Sequence, residues 1–304
     1  MAVTPWEAAE LALVERLVGD GLNSQEISDY LDDKGAVRRT HQAVRRIIQR
    51  NGWRAQIAKA PACAPRFNKP LTIKADKALI MADPHVPFHD AAWCNRVIDL
   101  ALRWGCDTVA VPGDLVDFTA FSKYGRQERV EAEDEIQAAR KFLRALARTF
   151  ATVVFVGGNH EMRLPRITGN ALELRDVMDL FIRDANVQAS DYFWFELMSG
   201  GQRFYIEHPK NASVIPGRVP AKLAEKYHCH VIGTHGHQWG MVRDVSDHYW
   251  GIDAGVCCDP LRLAYVQKVH SVRPQVYQGA VIVLNGTPVL LSPQNIAMFE
   301  SMAA

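Results

Sequence analysis

Val153-Val-Phe-Val-Gly-Gly-Asn-His-Glu161 (VVFVGGNHE) is the stretch whose reading decides the fold. Four apolar, mostly β-branched residues read as a buried strand, two glycines end it in a tight turn, and three polar side chains of different chemistry follow. A buried strand that delivers Asn159, His160 and Glu161 to its end belongs to a sheet whose rim carries chemistry.

The flanking sequence repeats that design. Strand and helix patterns alternate as Lys77–Ala82 (strand), Ala91–Trp104 (helix), Thr108–Val111 (strand), Ala132–Thr149 (helix) and Thr152–Val156 (strand), which is a βαβαβ start and an α/β fold class. A helix over 171–185, a strand over Arg203–Glu207, a helix over Pro220–Tyr227 and a strand over His230–Gly233 follow. Two further strands, Ala280–Leu284 and Val289–Leu291, flank an Asn285-Gly286 turn.

In an open α/β sheet, ligands bind beyond the carboxyl ends of the strands. Five polar clusters sit there: Asp83-Pro84-His85, Gly113-Asp114-Leu115-Val116-Asp117, Gly158-Asn159-His160-Glu161, His208, and His235-Gly236-His237. Taken singly, D-x-H or a lone His is more often a solvated strand end than a ligand, so their shared position and order carry the weight. Asp, Asn and His are oxygen and nitrogen donors suited to Mn²⁺, Fe or Zn²⁺, and there are enough of them for two ions.

The order D-x-H, G-D-x-x-D, G-N-H-E, H, H-x-H resembles the calcineurin-like metallophosphoesterase superfamily over roughly residues 76–260. The resemblance implies a β-sandwich flanked by helices (αββα) with two divalent metal ions at one rim, Mn²⁺ first and Fe, Zn²⁺ or Ni²⁺ as alternatives. It implies Asp83, His85 and His237 on one ion, Asn159, His208 and His235 on the other, and Asp114 bridging. It further implies His160 as the catalytic histidine, unbound to metal and acting on the leaving oxygen, with Asp117 and Glu161 orienting ligands or His160. Two ions about 3.5–4 Å apart hold a shared hydroxide and clamp an in-line displacement at phosphorus. The family pattern has Gly where this chain has Thr234, and often Gly where it has Pro209. His228 and His230 therefore stand as alternatives to His208.

Ahead of this domain, three short helical blocks (Ala8–Val18, Ser24–Leu31, Thr40–Gln49) are punctuated by Asp20-Gly21, by Ser24 and Thr40 as caps, and by Gly52. Residues 1–33 carry eight acidic and one basic side chain, whereas 34–75 carry eleven Lys or Arg and no acid. On the third block Ala43, Val44, Ile47 and Ile48 form one face. Gln42, Arg45, Arg46, Gln49 and Arg50 project elsewhere, joined by Arg38 and Arg39 as candidate DNA contacts. The wording "DGLNSQEISDYL…RTHQAVRRIIQRNGW" resembles Myb/SANT-like helix-turn-helix modules; the plainer alternative is a helical interaction module with a solvated basic face. The expected organisation is a DNA-binding domain at 1–56, a basic Pro-containing linker at 57–75 and a metallophosphoesterase domain at 76–304.

Composition narrows the partners. Residues 76–304 hold 23 basic and 26 acidic side chains, so DNA affinity has to come from the N-terminal segment. The expectation is a DNA phosphodiesterase, with a phosphatase or small-molecule phosphodiesterase that merely docks on DNA or a protein as the alternative. A non-catalytic DNA-binding protein with a stabilising metal site fits less well with a retained His160. No apolar run reaches the roughly 18–20 residues a membrane span needs, and no secretory pattern opens the chain, so cytoplasmic residence is expected. Six cysteines without C-x-x-C spacing read as reduced core residues. The aromatic run Asp191–Met198 (DYFWFELM) reads as core ahead of a base-stacking groove or the surface of a homodimer. His89, His248 and His270 read as surface or groove residues.

Overall fold

The computed structural model describes residues 5–34, 38–54, 70–122, 130–267 and 276–302. The chain divides into two compact units, Met1–Phe67 and Asn68–Ala304. Cys63, His270 and residues 57–69 of the expected linker lie outside the described residues.

The first unit is three helices, α1 (Ala8–Gly19), α2 (Ser24–Asp33) and α3 (His41–Asn51). They close over Val14, Leu17, Val18, Ile27, Leu31, Val44 and Ile47, all buried. The cap of α2 is Asn23 rather than Ser24: its side-chain oxygen accepts from the N–H groups of Gln25 and Glu26 at 2.9 and 3.1 Å, and Glu26 accepts from the Asn23 N–H at 2.8 Å. An amide at that position satisfies two orphan helix donors and lets Glu26 reach back, a reciprocal arrangement. Thr40 caps α3, and Gly52 ends it at φ 66.

One basic residue is corrected here. Arg39 is only 6 % exposed. Its guanidinium donates to both Glu10 carboxylate oxygens at 2.7 Å and to the Pro5 carbonyl at 2.7 Å, and it lies 4.4 Å from the centre of the Trp6 ring. A fork committed to a buried carboxylate ties the start of α1 to the segment before α3 and is withdrawn from the DNA-facing set. Arg38, Gln42, Arg45, Arg46, Gln49 and Arg50 are exposed.

The second unit contains β1 (Thr72–Lys74), β2 (Lys77–Ile80), α4 (Ala91–Arg103), β3 (Thr108–Pro112), α5 (Ala132–Thr149) and β4 (Thr152–Val156). It continues with α6 (Arg163–Ile167), α7 (Leu174–Asp179), β5 (Val187–Ser190), β6 (Trp194–Ser199), β7 (Gln202–Glu207), α8 (Arg218–Tyr227) and β8 (His230–Gly233). The last elements are β9 (Trp239–Arg243), β10 (Trp250–Ala254), α9 (Ala264–Gln267), β11 (Ala280–Leu284), β12 (Thr287–Leu291) and α10 (Ile296–Met302). Two six-stranded mixed sheets result, ordered β12-β11-β2-β3-β4-β5 and β1-β6-β7-β8-β10-β9.

Residue alternation builds the layers. Ala78, Ile80, Ala110, Val154 and Val156 face the second sheet, meeting Phe195, Leu197, Phe204, Ile206, Ile232 and Ile252. Leu79, Val109, Val111, Val153 and Phe155 point the other way, onto Trp93, Val97 and Leu100 of α4 and Leu143 and Leu146 of α5. A strand buried on both faces is apolar throughout, which is why the central runs read as continuous hydrophobic blocks.

Two expectations change in detail, and the reading of the aromatic run as core is made specific. The last residues of the supposed linker form β1, which pairs in parallel with β6 from Thr72 to Lys74. The helix expected over 171–185 contracts to α7, because Phe181 turns into the core against Phe118 and Phe155, with ring centres 5.9 and 6.3 Å away. The aromatic run becomes β6, with Phe195 and Leu197 inward, while Trp194 stacks on Tyr205 at 4.1 Å on the other face. The described cysteines, Cys94, Cys106, Cys229, Cys257 and Cys258, are buried free thiols.

Candidate metal centre

The parallel strands β2, β3 and β4 of one sheet and β7 and β8 of the other end at a common rim. Asp83 and His85 follow β2, Asp114 and Asp117 follow β3, Asn159–Glu161 follow β4, His208 follows β7, and His235 and His237 follow β8. Asp83, His85, Asp114, His235 and His237 all take positive φ, from 41 to 66. Left-handed backbone costs a non-glycine residue roughly 1–2 kcal/mol, and such conformations cluster where function over-determines them.

Three overlapping sets of donors converge, one of them His85, Asp114 and His160. Asp83, His85 and His237 bring ligand atoms within 4.8 Å of one another, as do Asp114, His208 and His235. The Nε2 atoms of His85 and His237 stand 3.3 Å apart, and Asp83 Oδ2 is 3.2 Å from His237 Nε2. In the second set His208 Nε2 lies 3.0 Å from Asn159 Oδ1 and 3.4 Å from Asp114 Oδ2. That same Asp114 oxygen is 4.0 Å from His85 Nε2, so it stands between the sets. His208 is therefore the histidine that reaches the rim. His230 instead accepts from the Trp250 N–H at 3.0 Å, and His228 caps α8 against the Tyr249 ring.

The donors suit divalent cations. Asp83 Oδ1 is buried without a hydrogen-bond partner, whereas His85 Nδ1 and Asp117 Oδ1, 3.2 Å apart, face one another. Buried acceptors of this kind cost several kcal/mol unless a cation or donor satisfies them. Burial works against ionising Asp83, yet His208 and His237 hold its carboxyl well below the ordinary range. Asp114 is likewise held down, by His160, His208 and His85 against burial. His208 rises to about 9 because Asp114 and Asp83 outweigh its burial, while burial and His208 push His235 down to about 4. Carboxylate, amide oxygen and imidazole are ligands for Mn²⁺, Fe or Zn²⁺ rather than for a soft thiophilic metal.

Close packing adds to turn geometry in explaining the glycines: Gly113 has φ 90, whereas Gly158 has no positive φ and answers to packing alone. A Cβ on Gly158 would lie 2.3 Å from Asp114 Oδ1 and 2.4 Å from its backbone nitrogen, and one on Gly113 2.6 Å from His208 Nδ1. The turn expected at Gly157-Gly158 needs no positive φ at either residue, and both give room to neighbours. Glu161, fully buried, accepts from the N–H groups of Gly158, Asp114 and Val116 at 2.8, 3.1 and 3.2 Å, stitching the β3 and β4 loops together. Burial, and then the Asp114 charge, raises its pKa to about 7.

A calcineurin-like phosphoesterase family model matches residues 77–253, more than half of the chain. The chain belongs to the calcineurin-like phosphoesterase family. Family membership makes it a metal-dependent phosphoesterase, with the Asp/His rim as the group of side chains that could hold the divalent ions. Among solved structures it is similar to Chaetomium thermophilum Vps29 (10 % identity, 68 % of this chain and 78 % of that one, TM-score 0.39). It is also similar to YfcE, a phosphoesterase from E. coli (14 % identity, 71 % and 98 %, TM-score 0.37), and to Vacuolar Protein Sorting 29 from Cryptosporidium parvum (11 %, 71 % and 96 %, TM-score 0.40). Comparison with curated proteins gives no match. Among the described residues no helix is long and apolar enough to cross a membrane.

Two residues enter the phosphoesterase site that motif reading missed. The Thr234 hydroxyl donates to the Pro112 carbonyl at 2.9 Å and so accepts from His208 Nδ1–H at 2.9 Å, leaving His208 Nε2 to face the donors. Only the family pattern's glycine at that position hinted at a special role. Arg163 reaches His160 Nε2 at 2.9 Å and the Asp117 carbonyl at 2.6 Å; its spacing of three residues from His160 was the available signal. His89, expected at the surface or in a groove, is half-buried with its ring 5.2 Å from Phe142. His248 is exposed.

Proposed function

We propose that this phosphoesterase hydrolyses phosphodiesters, with DNA as substrate delivered by the N-terminal unit acting as a helix-turn-helix module. Asp83, His85 and His237 would hold one divalent ion and Asn159, His208 and His235 the other, with Asp114 shared; Mn²⁺ is the first candidate. Bound there, the ions supply Lewis acidity and an activated water. His160 belongs to neither set and would serve the leaving oxygen, while Asp117 and Glu161 orient the loops that carry it.

The observation that carries the DNA reading is the exposed face of α3, with Gln42, Arg45, Arg46, Gln49 and Arg50. It stands against 23 basic and 26 acidic side chains over residues 76–304, which offer no net positive field. Phosphate neutralisation dominates nucleic-acid affinity and makes it salt-dependent. Deleting residues 1–60 should abolish salt-sensitive DNA binding and depress DNA cleavage, while hydrolysis of bis-p-nitrophenyl phosphate persists. Undiminished DNA cleavage by the truncated protein would reject delivery. Turnover of monoesters alone would favour a phosphatase.

A further inference from the structure

Asn159 and His208 bring the two sheets together at the rim, with Asn159 Oδ1 3.0 Å from His208 Nε2. The segments that follow them have the same makeup. After Asn159 the chain turns into α6, which ends in exposed Arg166 and Ile167. After His208 it runs through Lys210 to Val214 and Ile215, all exposed, before α8 begins. Each segment offers solvent one cation and one or two β-branched side chains, with Ile167 62 %, Val214 66 % and Ile215 49 % exposed.

Both segments are anchored. The His208 N–H donates to the Phe193 carbonyl at 2.8 Å, and at the other end of the loop the Gly217 N–H donates to buried Asp253 at 2.6 Å. Pro216 packs on Gly240, where an added Cβ would come within 2.6 Å of it, and Val242 packs on Gly217 in the same way at 2.7 Å. On the other side Arg163 donates to the Asp117 carbonyl at 2.6 Å and fixes the start of α6.

Charge sets the two cations apart. Arg96, Arg103, Arg175, Arg243 and Arg262 each lie 2.7–3.9 Å from a carboxylate. Among the described residues Arg166 and Lys210 have no carboxylate within 4.0 Å and no side-chain hydrogen bond. An exposed lysine alone is an ordinary solvated side chain. Two unpaired cations flanking a site for divalent ions instead add to one positive field, which favours an anionic occupant. An isolated diester places its single charge at the donors, so cations outside the donor sets serve a ligand with further phosphates. The β-branched side chains beside them suit the sugars and bases between those phosphates.

We propose that Arg166 and Lys210 contact the phosphates on either side of the one held at the donors, so that the site prefers a polynucleotide strand to an isolated diester; the premise is the polynucleotide substrate read above.

Binding of a fluorescent single-stranded oligonucleotide to the full-length His160→Ala protein with Mn²⁺, in which cleavage is suppressed, should weaken as salt rises. In that background Arg166→Gln and Lys210→Gln should each flatten the slope of log K against log salt by about 0.7, the loss of one phosphate contact to a single strand. Lys141→Gln, an exposed cation on α5, should leave the slope as it is. With His160 restored, kcat/KM for the oligonucleotide relative to that for bis-p-nitrophenyl phosphate should fall about fivefold in each rim variant, the upper range for an exposed ion pair. Both side chains are solvent-exposed, so thermal unfolding of the variants should match wild type. A parental slope in either rim variant, or the same flattening by Lys141→Gln, would overturn the proposal and leave the nuclease reading standing. Failure of the wild-type protein to cleave any oligonucleotide while it still hydrolyses bis-p-nitrophenyl phosphate would remove both.

Discussion

The polar face of α3 and the rim of the two sheets both gather charged side chains, and they do so by opposite means. On α3, Gln42, Arg45, Arg46, Gln49 and Arg50 lie within one helix, exposed, placed by the 3.6-residue period alone. At the rim, partners such as His85 and His237 are 152 residues apart, and Asp83, His85, Asp114 and His208 are almost wholly buried. A helix face tolerates the loss of a member because water replaces it. A buried rim does not, since Asp83 and Asp114 each face several of its histidines and no water replaces a lost partner.

The largest expected difference is catalytic. Asp114→Ala removes the oxygen standing between the two donor sets, and loss of several kcal/mol of charge stabilisation corresponds to a drop in diester turnover on the order of a thousandfold. Metal content, read by mass spectrometry, should fall with it. Arg46→Ala should leave hydrolysis of a small diester unchanged; if both variants lose activity alike, the contrast between face and rim fails.

Arginine contrasts come next. Arg39→Ala leaves Glu10 without its partner and should cost about 3 kcal/mol in denaturant unfolding of the first unit, at the lower end for a broken buried pair. Arg46→Ala, on the exposed face, should stay within about 0.5 kcal/mol. Equal effects would mean that the burial of Arg39 carries no energetic weight.

The same substitution at two glycines should then have opposite signs. Gly158→Ala forces a methyl against Asp114 and should destabilise by about 1–3 kcal/mol, with loss of turnover. Gly19→Ala, where nothing lies within 4 Å of the added Cβ, should stabilise α1 by up to about 1 kcal/mol. Thermal unfolding of the two variants reads both.

The remaining effect is a pH-dependent one behind the rim. Glu135 accepts from the Thr119 N–H at 3.0 Å, and burial raises its pKa from 4.5 to about 7. The folded protein keeps this carboxyl protonated where the unfolded chain has already ionised, so stability is lost as pH climbs from 4.5 to about 7. Glu135→Gln should raise Tm over wild type at pH 8 and match it at pH 4. A difference that does not change with pH would assign its effect to packing instead.

Legibility follows the same division. Long apolar runs gave β3, β4, β8, β11 and α5 to within a residue or so, because a strand buried on both faces or a helix with a wide apolar stripe admits few alternatives. Short β5 and edge strand β9 were not expected, since pairing with a neighbour rather than intrinsic pattern holds them. The candidate ligands were legible because each cluster ends an apolar run. Arg39 misled because a basic residue one position before a helix cap looks exposed until Glu10, 29 residues away, is brought beside it.

By itself the sequence determined the α/β class, the order of the central strands and the helices between them, and the polar clusters that end those strands, all consequences of local period and of polar residues breaking apolar runs. Only the tertiary structure decided that Gly158 makes room for Asp114, that Thr234 orients His208, and that Arg163 comes within 2.9 Å of His160 Nε2. Those are contacts between loops, and a loop side chain acquires its partner only after the two sheets have packed and brought their ends together.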